Sequence, residues 1–289
     1  MNLTSEMKRH KAYIDKKIAD RFNSPRNTLE EAMAYSMQNG GKRLRPTLLL
    51  MTLEAFGIPR RKGIDIAIAL EMVHTYSLIH DDLPAMDNDD YRRGIPTNHK
   101  VYGEAIAILA GDSLLTDAFQ VICNAHLKSD IKIKLIQNLS RAAGSKGMIE
   151  GQLLDMEAET KKIDSSLLRR IHMLKTGQLI RFAIVSAGMI ANQPTKVLKN
   201  LDIFSMHLGV AFQIQDDILD VEGDTLQTGK VVGSDVANGK STYVSLLDLE
   251  GAKNELAEEL KQALQHLDEL PIDTTLLKEL TMYVASRDK

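Results

Sequence analysis

Apolar residues recur at three- and four-residue steps along almost all of this 289-residue chain, and strict two-residue alternation is scarce. Ile64, Ala67, Ile68, Met72, Val73, Tyr76 and Ile79 form one such stripe. That period gathers the side chains on one face of a helix, where they must be covered by something else. Comparable patterns run over 104–127, 131–156, 165–190 and 196–221. Segments of this length without heptad regularity predict a large helical bundle rather than a coiled coil. The seven prolines stand mainly at segment edges, in keeping with an all-α fold. No linker-like composition divides the chain and no short-period repeat is present, so one domain over residues 1–289 is expected.

Charge and cysteine content narrow the partners. Lys and Arg total 36 against 39 Asp and Glu, with no long block of one sign. That argues against a nucleic-acid groove or a strongly basic membrane face. The lone Cys123 excludes an intramolecular disulfide and a cysteine-built metal site, and its setting in Phe119-Gln120-Val121-Ile122-Cys123 predicts buried packing. Residues 1–21 carry a charged helical pattern without the apolar centre of a secretion signal. The longest apolar stretches are interrupted by Asp112, Asp117 or the aspartates near 216, so no membrane span is expected. A cytoplasmic protein is the expectation.

Chemistry concentrates in two aspartate runs, Asp81-Asp82-Leu83-Pro84-Ala85-Met86-Asp87 and Asp216-Asp217-Ile218-Leu219-Asp220. Clustered carboxylates repel one another, and apolar flanks make their ionisation harder still. Mg²⁺ relieves both problems and commonly completes its coordination on substrate phosphates. Two acidic walls therefore point to a clamp for a phosphorylated substrate. Asp216 and Asp220 are four apart and Asp217 and Asp220 three apart, with Gln213 on the same side one turn earlier. Phe212, Ile214, Ile218 and Leu219 around them would not be needed by a plain exposed acidic stripe.

Cations accompany both runs. Gly40-Gly41-Lys42-Arg43-Leu44-Arg45-Pro46 sets three of them at a helix start, which suits a diphosphate but also a solvated basic turn. Arg92-Arg93-Gly94 follows the first run closely, and arginine can hold the same anion directly that carboxylates hold through Mg²⁺. Lys175 sits beside Thr176 in an apolar helix, while Lys230 and Lys240 lie in a segment spaced by Gly223, Gly229, Gly233 and Gly239. Spacing does not separate Lys230 and Lys240 from ordinary surface lysines. His74, two turns before the first run, reads on its own as a neutral core histidine.

Together these residues resemble the trans-isoprenyl diphosphate synthase family. The match runs from about Glu30 to Arg287 through GGKRLRP at 40–46, HTYSLIHDDLPAMDNDDYRRGIPTNH at 74–99 and GDSLLTDAFQ at 111–120. It continues through GQLLDMEAE at 151–159, KTGQLI at 175–180, FQIQDDILDVEGD at 212–224 and GKSTY at 239–243. The resemblance implies a helical bundle around a central active-site cavity, magnesium (three ions per site) and a homodimer. It implies that Gly41, Lys42, Arg45, His74 and Arg93 hold isopentenyl diphosphate. Arg92, Lys175, Lys230 and Lys240 would hold the allylic diphosphate, with Thr176 and Gln213 facing the reacting carbons. Asp81 and Asp87 would ligate two Mg²⁺ and Asp216 a third. Asp82, Asp217 and Asp220 complete the two catalytic motifs.

The implied reaction is Mg²⁺-assisted ionisation of an allylic diphosphate and attack on the cation by isopentenyl diphosphate. Closure of residues 224–240 is the implied gate against water. Tyr76 lies five residues before Asp81, about one and a half turns along the helix. Helical phase places Ser77 more directly beneath Asp81, but the family's rule selects Tyr76. A bulky residue there, with Pro84-Ala85 inserted in the first motif, stops growth at fifteen carbons. A geranylgeranyl product would call for a small residue at 76. A non-catalytic partner subunit should lack motif aspartates or cations, and a terpene cyclase would not need the Lys42/Arg45 cluster. Gln178 stands where the family carries alanine.

Overall fold

The computed structural model describes residues 2–159, 161–222 and 241–286. These are all-α apart from one hairpin of two-residue strands, as the apolar period predicts. Contacts sort the chain into two compact units, 1–136 and 137–289, and each is described by itself.

The first unit begins with α1 (Leu3–Phe22), whose Asn2 side chain accepts the Thr4 N–H and caps the helix start. Leu3, Glu6, His10, Ile14 and Ile18 bury one face of α1 at the helical step. Next is α2 (Thr28–Gln38), capped by Asn27 on the Glu30 N–H. The chain then passes through Gly40 and Gly41, both at positive φ, into α3 (Leu44–Ala55), with Pro46 in its first turn. Of the 18 residues of α4 (Ile64–Asp81), 12 are buried and the rest are half-buried, as befits a central helix. Tyr91–Arg92 (β1) and Ile95–Pro96 (β2) pair across Arg93 and Gly94, which both have positive φ. Two such residues between paired strands form the tight primed turn whose twist matches the strands. The unit closes with α5 (Asn98–Tyr102) and α6 (Glu104–Asn124).

α6 departs from expectation twice. By length and composition it could cross a membrane, despite Asp112 and Asp117. It nevertheless packs along α4 and buries Ala107, Ala110, Gly111, Leu114, Ala118, Val121 and Ile122. Gly111 permits the approach, since a Cβ there would collide with the His80 imidazole. Cys123 is exposed, contrary to the packing role read from its apolar neighbours. Each helical residue turns by about 100°, so the position after Ile122 rotates off the buried stripe.

α7 (Ser129–Ala143) carries the chain into the second unit. The expected helix over 131–156 is broken, because Gly144-Ser145-Lys146-Gly147 ends α7 before α8 (Met148–Ala158) begins. A side chain on Gly147 would strike the carbonyls of Arg141 and Ala142. α9 (Ser165–His172), capped by Asp164, continues through a π-helical turn at Met173–Gly177 into α10 (Gln178–Ile190). α11 (Thr195–Glu222) and α12 (Tyr243–Asp268) pack along one another, and α13 (Thr275–Ser286) follows. Thr242 and Ser245 form a reciprocal capping box at the start of α12. The core here joins Leu168, Val210, Ile214, Ile218, Tyr243 and Leu256. Glu259 is buried yet satisfied, accepting from Arg169 (2.7 Å) and paired with His207 Nδ1 (2.6 Å).

Candidate active site

The first aspartate motif begins on the last residue of α4 and leaves it in a tight turn. The Asp87 N–H donates to the Asp81 carbonyl at 2.8 Å, folding the run back on itself. Asp81 is half-buried and Asp87 exposed, whereas Asp82 is only 4% exposed. Nε and Nη2 of Arg92 both reach Asp82 Oδ1, at 2.7 and 2.6 Å. Burial pushes the Asp82 carboxyl above its ordinary pKa, opposed by the Arg92 hydrogen bond. Burial is the largest influence on Arg92 and lowers its pKa, but the Asp82 hydrogen bond and the charges of Asp82, Asp89 and Asp81 together outweigh it and hold the pKa above the usual value.

Arg93 serves a different neighbour. Its Nη1 donates to the Gly40 carbonyl at 3.0 Å, and a Cβ on Gly41 would lie 2.6 Å from the same nitrogen. Gly41, at φ +111, is thus demanded by both backbone conformation and space. Arg45 Nη1 reaches His74 Nε2 at 3.4 Å. Burial, then the charges of Arg45, Arg93 and Arg92, hold His74 well below the usual histidine pKa. The imidazole is therefore neutral and accepts from Arg45. Lys42 is exposed beside this cluster. The structure brings Gly41, Arg45, His74 and Arg93 together, a concentration of positive charge suited to an anion. A small cavity of about 40 Å³ adjoins it, bordered by Asn39, Thr75, Asp82, Arg92 and Arg93.

Tyr76 is buried, and its hydroxyl has no hydrogen-bond partner. Burial, with the Asp81 charge behind it, raises its pKa to about 12, so it stays neutral. The ring packs edge-on against His80, whose Nε2 lies 3.1 Å from the Ile108 carbonyl.

In the second unit Asp216 and Asp220 are half-buried, while Asp217 is 5% exposed. Asp217 Oδ2 accepts the Tyr243 N–H at 2.7 Å, at the first residue of α12. Thr176 Oγ1 donates to Gln213 Oε1 at 2.8 Å, joining two residues that the sequence pairs only through resemblance. Lys175 donates to Asp155 at 2.7 Å. Both Lys175 and Thr176 lie on the π-helical turn, an irregularity frequent at functional sites. Gly209 of α11 allows that turn to approach, since a Cβ there would sit 2.7 Å from Gly177 Cα. Gln178 is half-buried at the start of α10. His172 and Tyr243 stack obliquely with centroids 5.6 Å apart, and neither His172 Nδ1 nor the Tyr243 hydroxyl is hydrogen-bonded. Burial drives His172 down to about 4.

Lys230, Lys240 and the segment 224–240 lie outside the described residues. The carboxylates that retain access, Asp81 and Asp87 in one motif and Asp216 and Asp220 in the other, are hard oxygen donors that fit Mg²⁺. That ion binds through one or two carboxylates and keeps positions for water and phosphate. The three-group cluster with cage-like spacing among the described residues is instead Glu6, His10 and Glu54. Arg9 bridges its two carboxylates, marking it as a tie between α1 and α3. Sequence reasoning missed Arg43, Asp155 and Tyr243. Asp155 fell within a quoted motif and Arg43 within the basic run, but neither position signals its partner.

The family model described as "Polyprenyl synthetase" matches residues 26–278. A farnesyl diphosphate synthase from Micrococcus luteus is 52% identical over 96% of this chain and 95% of its own. One from Geobacillus stearothermophilus is 50% identical over 90% of this chain and 89% of its own. Among solved structures, an apo FPP/GFPP synthase from Zymomonas mobilis superposes with a TM-score of 0.88 at 34% identity, covering 99% of each chain.

Proposed function

Because the chain belongs to the polyprenyl synthetase family, we infer that it is a prenyltransferase making farnesyl diphosphate from isopentenyl diphosphate and a dimethylallyl or geranyl diphosphate primer. The observation that carries this reading is the cluster of Arg45, Arg93 and neutral His74 around Gly41, standing beside the aspartate motif. An enzyme that only ionises one diphosphate has no use for a second anion site. One that joins two diphosphates needs it.

In this reading Gly41, Lys42, Arg45, His74 and Arg93 hold isopentenyl diphosphate. Arg92 and Lys175 bind the allylic diphosphate, exchanging Asp82 and Asp155 in part for the anion, and Lys230 and Lys240 are assigned to it by family resemblance. Asp81 and Asp87 would hold two Mg²⁺ and Asp216 a third. Bound Mg²⁺ supplies positive charge where the departing diphosphate accumulates negative charge. The allylic C–O bond breaks, and the diphosphate leaves with the electron pair. The double bond of isopentenyl diphosphate attacks the allylic cation, and loss of one proton to the released diphosphate restores an alkene. Preorganised cations stabilise the leaving group without reorganising during the step. The hydrogen bond between Thr176 and Gln213 fixes two polar groups assigned to the reacting carbons.

Tyr76 is the proposed stop at fifteen carbons. Its buried ring and its contact with His80 make it a fixed wall near Asp81. A homodimer is part of the same reading. α6 exposes Ile108 and Leu109, and α8 exposes Ile149, Leu153 and Met156, apolar surface of the kind subunit contacts cover. The decisive experiment is incubation with labelled isopentenyl diphosphate, each primer and Mg²⁺, followed by chain-length analysis. Fifteen-carbon product is expected from wild type and longer product from Tyr76→Ala. No Mg²⁺-dependent condensation with any primer would remove the enzyme reading, and unchanged chain length in Tyr76→Ala would remove Tyr76 as the stop.

A further inference from the structure

Of the three cations in the Gly-Gly-Lys-Arg-Leu-Arg run, the middle one points into the protein. Arg43 is 3% exposed, between exposed Lys42 and half-buried Arg45. All three guanidinium nitrogens are engaged, each by a different helix. Nε donates to Asp15 Oδ1 of α1 at 2.9 Å, Nη1 to Glu71 Oε1 of α4 at 2.7 Å, and Nη2 to the Met37 carbonyl of α2 at 2.6 Å. Glu71 is itself 3% exposed. The Arg43 backbone adopts φ 50 and ψ 33, a left-handed conformation that disfavours a side chain by about 1 kcal/mol. The chain thus accepts backbone strain at the residue joining the glycine turn to α3.

A buried ion pair is poor evidence for stability, because desolvation offsets much of its attraction and apolar replacements are often tolerated. Geometry is the better explanation. Glu71 lies one turn before His74 on α4, and Arg43 lies two residues before Arg45. The bond between Arg43 and Glu71 therefore ties together the two backbones from which Arg45 and His74 meet. Lysine, a point charge without the planar fork, could not satisfy the three directions at once.

We propose that Arg43 is a positioning residue: its buried guanidinium, held by Asp15, Glu71 and the Met37 carbonyl, sets Lys42, Arg45 and His74 in register for an incoming diphosphate. This rests on the assignment of Arg45 and His74 to isopentenyl diphosphate. Arg43 does not touch substrate; it acts through the residues that do. Its removal should therefore weaken one substrate and spare the other, which general loss of stability would not do.

The test is steady-state kinetics of the full chain with isopentenyl diphosphate and geranyl diphosphate varied separately. Arg43→Lys, Arg43→Met and Glu71→Gln are compared with Arg45→Ala, with folding checked by circular dichroism. The expected result is a KM for isopentenyl diphosphate raised about ten-fold or more in Arg43→Lys and Glu71→Gln, with the KM for geranyl diphosphate within about two-fold of wild type. If Arg43→Met fails to fold, Glu71→Gln, which keeps an oxygen acceptor, still decides. Folded variants with both constants unchanged, or with both raised alike, overturn the proposal. If Arg45→Ala also leaves the KM for isopentenyl diphosphate unchanged, the assignment of the site fails and takes the proposal with it.

Discussion

In each aspartate motif the second carboxylate of the leading pair turns inward, but the two meet different partners. Asp82 meets a charged side chain, Arg92, through Nε and Nη2. Asp217 meets a backbone N–H, that of Tyr243 at the start of α12. The outer aspartates, 81 and 87 in one region and 216 and 220 in the other, keep access to solvent. An inward carboxylate is thus an anchor in both regions, holding an arginine in the first and a helix start in the second. The same leading aspartate pair hides a charge pair in one place and a helix tether in the other.

The largest effect should fall on the accessible carboxylates. Asp81→Ala and Asp216→Ala should each lower turnover by at least about 10², the scale for removing a key electrostatic group. Steady-state assays with the Mg²⁺ concentration varied would show it. Unchanged turnover in a folded variant would take that motif out of the reaction and end the parallel between the regions.

pH should sharpen the comparison next, because each region holds a neutral histidine, buried at 172 and half-buried at 74. His172 is held at about 4 against an ordinary 6.5, with burial the main cause, and His74 is lowered in the same direction. The unfolded chain takes up these protons first as pH falls through 6.5. Stability should therefore decline from 6.5 down to about 4 for the His172 share, and be fully present above that window. Denaturant titrations across this range test it, and His172→Phe should flatten the curve. Parallel curves for wild type and variant would remove His172 as a cause.

The smallest effects separate the inward aspartates themselves. Asp82→Asn keeps an oxygen acceptor but leaves the half-buried Arg92 charge without its nearest carboxylate, at a cost of about 2 kcal/mol. Asp217→Asn still accepts the neutral Tyr243 N–H and should cost less than about 1 kcal/mol. Thermal melts give the ranking, and hydrogen exchange at the Tyr243 amide reports the tether directly. Equal losses at the two positions would mean that charge, not the acceptor, matters in both.

Much of this was legible in the sequence, and for identifiable reasons. Helical period located α4, α6 and α11 within a few residues because their buried stripes are long. It ran α7 into α8, since Gly144 and Gly147 interrupt an apolar pattern that otherwise keeps its step. Cys123 was misplaced because neighbours in sequence stand about 100° apart on a helix. The motif residues could be named, but their directions could not. Whether Lys42, Arg43 or Arg45 turns inward depends on the left-handed backbone at Arg43 and on acceptors from α1, α2 and α4, far along the chain. The hairpin escaped notice because Arg93 occupies a turn position where glycine or asparagine is the usual signal.

That hairpin makes two adjacent arginines answer to different masters. Arg92 stands on a strand and reaches Asp82; Arg93 stands in the turn and reaches Gly40. Their division of labour is written in loop length, not in side-chain chemistry. Deleting Gly94 from the turn would leave both guanidinium groups in the protein yet strip one of its address.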